Sequence, residues 1–189
     1  SAGMLNLANA AYFAVFVLWA VDTIGVPAAR YGLIMTALAV GVVAGSLLSD
    51  RLAVRLGERE LLVGGWLINC LLLLVPVLVP VEWPLYPTMV AMGATGGAVN
   101  VLVISTRQRL IPAGMLGRVN SVYRLIGMGG MPVGAALGGF VGELGLPIVF
   151  VGAVGVCLAA VGLIWWTTRH GISGSLTSKS ILPDISRSR

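Results

Sequence analysis

The sequence predicts an all-α membrane protein that crosses the lipid bilayer six times, and three observations support this. Of 189 residues, 58% are hydrophobic and only 10% are charged, whereas a soluble domain carries about 25% charged residues. The charged residues are clustered, and they leave six charge-free intervals of 18 to 25 residues. A helix of that length rises roughly 27 to 37 Å, which is enough to cross a hydrocarbon core about 30 Å thick. A soluble six-helix protein would need polar outer faces, and these intervals hold too few polar residues to supply them.

The predicted architecture is a six-helix transmembrane bundle over residues 1–168, followed by a flexible cytoplasmic tail over residues 169–189. The predicted spans cover about residues 5–21, 31–49, 61–81, 84–106, 119–142 and 146–167. The five tryptophans lie near span ends, where an indole prefers the membrane interface.

The basic residues predict the orientation of the bundle. Eleven of the twelve arginines and lysines lie in the second and fourth connections and after the last span, and only Arg30 lies in the other connections. Basic residues accumulate on the cytoplasmic side of a membrane protein. Both termini are therefore expected in the cytoplasm. The net charge of +5 is explained by this asymmetry, so nucleic acid is not an expected partner.

Polar residues predict which spans face protein or water. The third span contains a single asparagine, Asn69, and the sixth span has no Ser, Thr, Asn or Gln over residues 144–166. The first and fourth spans are richer in polar residues, which belong against another helix or a wet cavity. An asparagine in a span can equally bond a neighbouring helix, so both interpretations stay open. The candidate cavity-lining residues are Asn6, Asn9, Tyr12, Thr95, Asn100 and Arg124.

Small residues four apart predict close helix crossings, because they allow two helix backbones to approach each other. A proline inside a helix adds a bend. The residues of this kind lie in the second and fifth spans: Gly41, Gly45, Gly130, Pro132, Gly134 and Gly138.

Two basic connections carry a family resemblance. Residues 45–59 read GSLLSDRLAVRLGER, and they resemble the glycine, aspartate and arginine signature of the major facilitator superfamily, in the version found in the C-terminal half of these transporters. Residues 107–124 read RQRLIPAGMLGRVNSVYR, and they are similar to one bacterial exporter branch of that superfamily, the branch that includes the enterobactin exporter. In this signature a glycine usually follows soon after the aspartate, whereas here it comes only at Gly57.

The resemblance implies a fold and a set of gate residues. It implies that the chain is the C-terminal six-helix half of a major facilitator fold, with spans one, two, four and five around a central cavity and spans three and six outside. It also implies a cytoplasmic latch that closes against the opposite half. The implied gate and latch residues are Asp50, Arg51, Arg55, Arg59, Arg107, Arg109 and Arg118.

The function expected from this resemblance is secondary-active efflux of a small molecule by alternating access, in a bacterial cytoplasmic (inner) membrane. The expected partners are membrane lipid, the small-molecule substrate and a second six-helix half, from the same polypeptide or a homodimer. The alternative is a non-transporting truncated membrane protein, or an assembly partner of another membrane chain. Measured flux separates these two expectations.

No enzyme activity, metal or cofactor is expected. His170 and Ser173 superficially match a serine nucleophile motif, but they lie together after the last span, whereas an intramembrane protease needs them on separate helices. Cys70 and Cys157 have no metal-ligand spacing around them and are expected to be packing residues. Proton coupling remains open, and since the spans hold no acidic residue, its carboxylate would belong to the other half.

Overall fold

The computed structural model describes residues 2–110, 115–143 and 145–178, and within them the chain forms helices and short connections without a strand. Helix α1 passes without a break into a π-helical turn at Trp19–Thr23. The helices are α1 (Ala2–Leu18), α2 (Ala28–Leu56), α3 (Glu58–Leu72), α4 (Val75–Leu78), α5 (Leu85–Leu110), α6 (Leu116–Gly142) and α7 (Leu146–Ser178). The predicted all-α fold class is confirmed.

Five stretches are long and apolar enough to cross a membrane: Gly3–Thr23, Ala29–Leu56, Glu58–Leu78, Leu85–Arg109 and Leu146–Thr167. They correspond to predicted spans one, two, three, four and six. Helix α6 corresponds to the fifth predicted span and has 27 residues, but its apolar part is only Met128–Gly142. The difference arises because Arg118, Asn120 and Arg124 occupy the first third of the helix. These six long helices identify an all-α, multi-pass membrane protein.

The connections follow from proline and glycine. Helices α2 and α3 are separated by Gly57 alone, whose φ of +94° lies in the left-handed region that favours glycine. The third predicted span is broken after Leu72, and a short helix α4 follows with Pro76 in its first turn. Proline has no backbone N–H and its ring clashes with the preceding turn, so a helix cannot continue through it undisturbed. The indole of Trp19 donates a hydrogen bond of 3.1 Å to the Pro76 carbonyl, which ties this break to the π-helical turn after α1.

Helix α7 is longer than predicted. It continues through Ser178, so the first ten residues of the predicted tail extend the last helix. Once a helix is nucleated, adding a residue costs far less than starting a new one. Residues 179–189, the rest of the predicted tail, lie outside the described part of the chain.

The helices pack in two groups. Helix α1 packs on α6 and α7, and α5 packs on α2 and α3, while the contact between α3 and α7 joins the two groups. An aromatic cluster fills the space between α1 and α7, with Tyr12 5.4 Å from Phe16 and 5.0 Å from Phe150 between ring centroids. All three rings are fully buried. Helices α2 and α6 each pack mainly on one neighbour, so much of their surface is left open.

Candidate functional site

The contact between α2 and α5 is a close crossing of two helix backbones. Gly41 lies against the backbone of Val90, and Gly45 lies against the backbone of Ala94. The crossing is reciprocal, since Gly93 and Gly97 of α5 lie against the backbone of α2. Because the atoms in contact belong to the backbone, a larger residue could not be accommodated by a side-chain rotation. The Ser49 hydroxyl donates a buried hydrogen bond of 2.7 Å to the Ala98 carbonyl, at the same crossing.

The contact between α1 and α6 is built in the same way. Gly134 lies against the backbone of Leu7, and a methyl group added at Gly138 would lie 2.6 Å from the Ala11 carbonyl oxygen. Gly130 faces Gly3, with 2.9 Å between its added methyl position and the carbonyl oxygen. Pro132 lies inside α6 between these glycines and is exposed. The glycines singled out in the sequence therefore all lie at helix crossings.

The candidate polar residues of α1 lie in two different environments. Asn6 and Asn9 are half-buried, and the Asn9 side-chain amide donates a hydrogen bond of 2.9 Å to the Leu5 carbonyl of its own helix. Tyr12 lies instead in the aromatic cluster and is fully buried. An aromatic ring gains more by burial against other rings than by facing an open cavity. In this arrangement Asn6 and Asn9 lie on the half-open side of α1, and Tyr12 does not.

The candidate polar residues of α5 also lie in different environments. Thr95 faces α3, where its hydroxyl lies 3.4 Å from the side-chain nitrogen of Asn69. Asn69 is buried and also donates to the Met92 carbonyl at 3.3 Å. These contacts are those of an interhelical hydrogen bond. Asn100 is exposed on α5. Arg124 falls in α6, but its side chain lies outside the described residues.

At the predicted cytoplasmic end, two arginines are engaged by neighbouring helices. Arg109 forms a 2.7 Å ion pair with Glu58 at the start of α3. Arg107 donates a hydrogen bond of 3.0 Å to the side-chain oxygen of Asn120, which links α5 to α6. An exposed ion pair contributes only about 0.2–1 kcal/mol. These contacts therefore fix the relative positions of the helix ends more than they stabilise the bundle.

The remaining candidate gate residues are not brought together. Asp50, Arg51 and Arg55 are exposed on α2, and among the described residues no ion pair joins Asp50 to either arginine. Arg118 is exposed near the start of α6. Arg59 lies elsewhere, in a groove between α3 and α7.

The opposite end of the bundle has its own polar cluster. Arg30, at the start of α2, forms a 2.9 Å ion pair with Glu82 in the connection before α5. The Tyr86 hydroxyl donates to the same carboxylate at 2.9 Å. The single basic residue predicted on the external side is thus paired with an acidic residue.

The exposed face of α2 is apolar for most of its length and carries charged residues near its C-terminal end. Only 22% of its most apolar stretch is buried, against 33 to 44% in the other four apolar helices. Leu47 and Val54 are 78% and 87% exposed, and Asp50 lies between them on the same side of the helix. A carboxylate in such a stripe is costly against lipid tails. This favours a protein or aqueous neighbour for this face.

A comparison with known protein families shows to which family this helical bundle belongs. The family described as Major Facilitator Superfamily matches residues 1–186. The chain belongs to the major facilitator superfamily. The expected resemblance is therefore confirmed at the level of the family.

Two exporters are similar to this member of the superfamily. An enterobactin exporter of Citrobacter koseri is 32% identical over 170 residues, which cover 86% of this chain and 38% of the exporter. An enterobactin exporter of Escherichia coli O1:K1 / APEC is 32% identical over 142 residues, which cover 72% of this chain and 33% of the exporter. The chain thus spans about a third of the length of these curated relatives. No solved structure matches it significantly.

Sequence reasoning missed several contacts of this superfamily member. Cys70 on α3 and Cys157 on α7 are both fully buried in the same core cluster, although 86 residues separate them in the chain. Glu58 was noted in the sequence only as part of the basic loop, and the structure places it beside Arg109. Neither contact has a local signal, because each depends on which helices become neighbours. The hydrogen bonds from Asn69 to α5 did have a signal in the sequence, because Asn69 is the single asparagine in an otherwise apolar span.

Proposed function

We propose that this chain supplies one six-helix half of a secondary-active exporter that moves a small molecule out of the cell by alternating access. The observation that carries the proposal is the open face of α2, where an apolar stripe is interrupted by Asp50 and followed by Arg51 and Arg55. A second helical bundle on this face would cover the apolar surface and supply partners for the charges. Membership of a superfamily of transporters supports the same conclusion.

The proposed transport path lies between this bundle and the second one. Rocking of two bundles around a site near the middle of the membrane is the usual form of alternating access. Asn6, Asn9 and Asn100 lie on half-open or exposed helix surfaces, so they are the proposed cavity-lining groups of this half. Thr95 and Tyr12 are proposed to hold helices together instead, because both face neighbouring helices. No covalent chemistry is part of this proposal.

The second half is proposed to be another six-helix bundle, from the same polypeptide or from a second copy of the chain. The cargo to test first is enterobactin, since two similar proteins are enterobactin exporters. The test compares everted membrane vesicles that contain the chain alone with vesicles that also contain a six-helix first half from one of these relatives. Transport out of the cell is measured as energised accumulation of labelled enterobactin inside the vesicles.

Accumulation that requires the second half would support the proposal. Accumulation with the chain alone would assign the second half to another copy of the chain. If neither preparation accumulates enterobactin or a panel of other small amphipathic compounds, although both bundles are present in the membrane, the transport proposal is wrong. Vesicles without either bundle are the control for leakage.

The chain is proposed to lie in the inner membrane of a bacterium. In the proposed orientation, both of its termini are in the cytoplasm. The reason is the excess of basic residues at one end of the bundle. A fluorescent protein that matures only in the cytoplasm is expected to be bright when fused after Arg189. Alkaline phosphatase, which is active only outside the cytoplasm, is expected to be active when inserted in the connection near Val81. Reversal of both results would contradict the orientation.

A further inference from the structure

A groove of about 310 Å³ lies between α3 and α7, at the end of the bundle where α3 begins. Its lining residues are Arg59, Glu60, Val63, Gly64 and Trp165. One water molecule needs about 10–15 Å³ of volume measured in this way, so the groove has room for a group much larger than a water molecule.

The two charges of the groove are opposite in sign and separate from each other. Arg59 and Glu60 are neighbours in the chain, but they do not form an ion pair with each other. Among the described residues, neither side chain has a hydrogen-bond or ion-pair partner, whereas Glu58 at the preceding position is paired with Arg109. The groove therefore presents one cation and one anion to whatever occupies the space between them.

The carboxylate of Glu60 lies in the first turn of α3. One of its oxygens occupies the space that a side chain would take at Gly57, the residue that precedes the helix. The positive end of the helix dipole stabilises an anion in the first turn. Glu60 is exposed and has no basic partner among the described residues, so its carboxylate is available to a ligand cation.

The other walls match a lipid at the membrane interface. The Trp165 indole is 44% exposed, near the end of the apolar stretch of α7, and indoles concentrate at the level of lipid head groups. Val63 and Gly64 follow one turn deeper along α3, and Gly64 has open space where a side chain would stand. An acyl chain can leave the groove along this strip toward the hydrocarbon core.

We propose that this groove binds a membrane phospholipid with a phosphoethanolamine head group, with the phosphate on Arg59 and the ammonium on Glu60. A guanidinium binds a phosphate in a bidentate manner, and an ammonium donates hydrogen bonds to a carboxylate and is attracted by the face of an indole. A phosphatidylglycerol would place its negative head group beside Glu60 without a compensating cation. A phosphatidylcholine would bring a cation that cannot donate a hydrogen bond to Glu60.

The test measures which lipid stays on the purified chain. The chain in detergent is incubated with equal amounts of phosphatidylethanolamine, phosphatidylcholine and phosphatidylglycerol, and bound lipid is quantified by native mass spectrometry. We expect phosphatidylethanolamine to exceed each of the others by about 10-fold, which corresponds to one charge-assisted hydrogen bond. E60Q is expected to abolish the preference over phosphatidylglycerol, and R59Q is expected to lower retention of all three lipids.

Controls separate the groove from general surface effects. R55Q and E143Q remove exposed charges outside the groove, and they are expected to retain lipid as the wild type does. G64L fills the strip for the acyl chain without changing any charge, and it is expected to lower retention of all three lipids. Melting temperatures of all variants in lipid-free detergent verify that each one is folded.

Three results would overturn the proposal. The first is a wild-type preference for phosphatidylglycerol, which would indicate an anion site. The second is unchanged retention in folded E60Q and R59Q. The third is displacement of the lipid by soluble phosphoethanolamine at an equal concentration, which would indicate a site for a soluble ligand. None of these measurements requires transport, so the lipid site and the proposed exporter function can fail independently.

Discussion

Replacing Gly45 by alanine is expected to destabilise the bundle, although the same substitution at Gly96 is expected to be neutral or slightly stabilising. At Gly45 the new methyl group would overlap the backbone carbonyl of Ala94. Overpacking of this kind costs typically about 1–3 kcal/mol of folding free energy. At Gly96 the new methyl group meets open space. The better helix propensity of alanine then gives a gain of about 0.5–1 kcal/mol.

The measurement is the melting temperature of each purified variant in the same detergent, together with its abundance in the membrane. A leucine at position 45 is expected to remove the folded protein altogether, because the two backbones would have to separate. A94G is a useful second change, since the obstructing atoms belong to the backbone. It should not rescue G45A. Equal melting temperatures for G45A and G96A would show that α2 and α5 do not cross at Gly45.

The spans themselves could be predicted from local composition. The distribution of charged residues fixes where a helix can lie in lipid, and this information is contained in about twenty consecutive residues. Helix α6 was harder to predict from the same signal. Its length is that of a span, but Arg118 and Asn120 make its first third polar. A helix that faces protein on one side can carry such residues, and composition alone does not show which side that is.

The glycine spacing predicted close crossings, but it did not predict which helices cross. Gly41 and Gly45 form a stripe on α2, and the sequence of α2 contains no information about the partner of that stripe. The structure shows that the partner is α5, which contributes Gly93 and Gly97. A mutual approach of two backbones needs small residues on both sides, so the two glycine pairs together could have suggested this pairing.

The environment of the polar residues of α1 could not be predicted from the sequence. Asn6, Asn9 and Tyr12 lie within one third of the circumference of α1, which predicts a common environment. The structure buries Tyr12 fully among Phe16 and Phe150, whereas the two asparagines are only half-buried. The deciding factor is the aromatic ring of α7, which is far away in the sequence. Polar residues that hold two helices together and polar residues that line a cavity are of the same types. They differ only in which residues surround them in the fold.

Replacing Asp50 by asparagine is expected to reduce transport by about 10-fold or more without lowering the abundance of the protein. This prediction rests on the proposed exporter function. Asp50 is exposed between Leu47 and Val54, so its charge contributes little to the folding of this bundle. If the second bundle covers this face, the carboxylate accepts hydrogen bonds from that bundle. Hydrogen bonds to charged groups contribute about 1.5–3 kcal/mol, which corresponds to roughly 10- to 100-fold in an equilibrium constant.

The measurement is energised accumulation of labelled enterobactin in everted vesicles, normalised to the amount of protein. D50E should retain part of the activity, because it keeps the charge and shifts it by one methylene group. E143Q removes an exposed carboxylate at the end of α6, and it should transport as the wild type does. A D50N variant with normal transport would show that the carboxylate does not contact the second half. A parallel loss of abundance and transport would instead assign Asp50 to the stability of its own bundle, since a contact made only with the second bundle leaves the folding of this one unchanged.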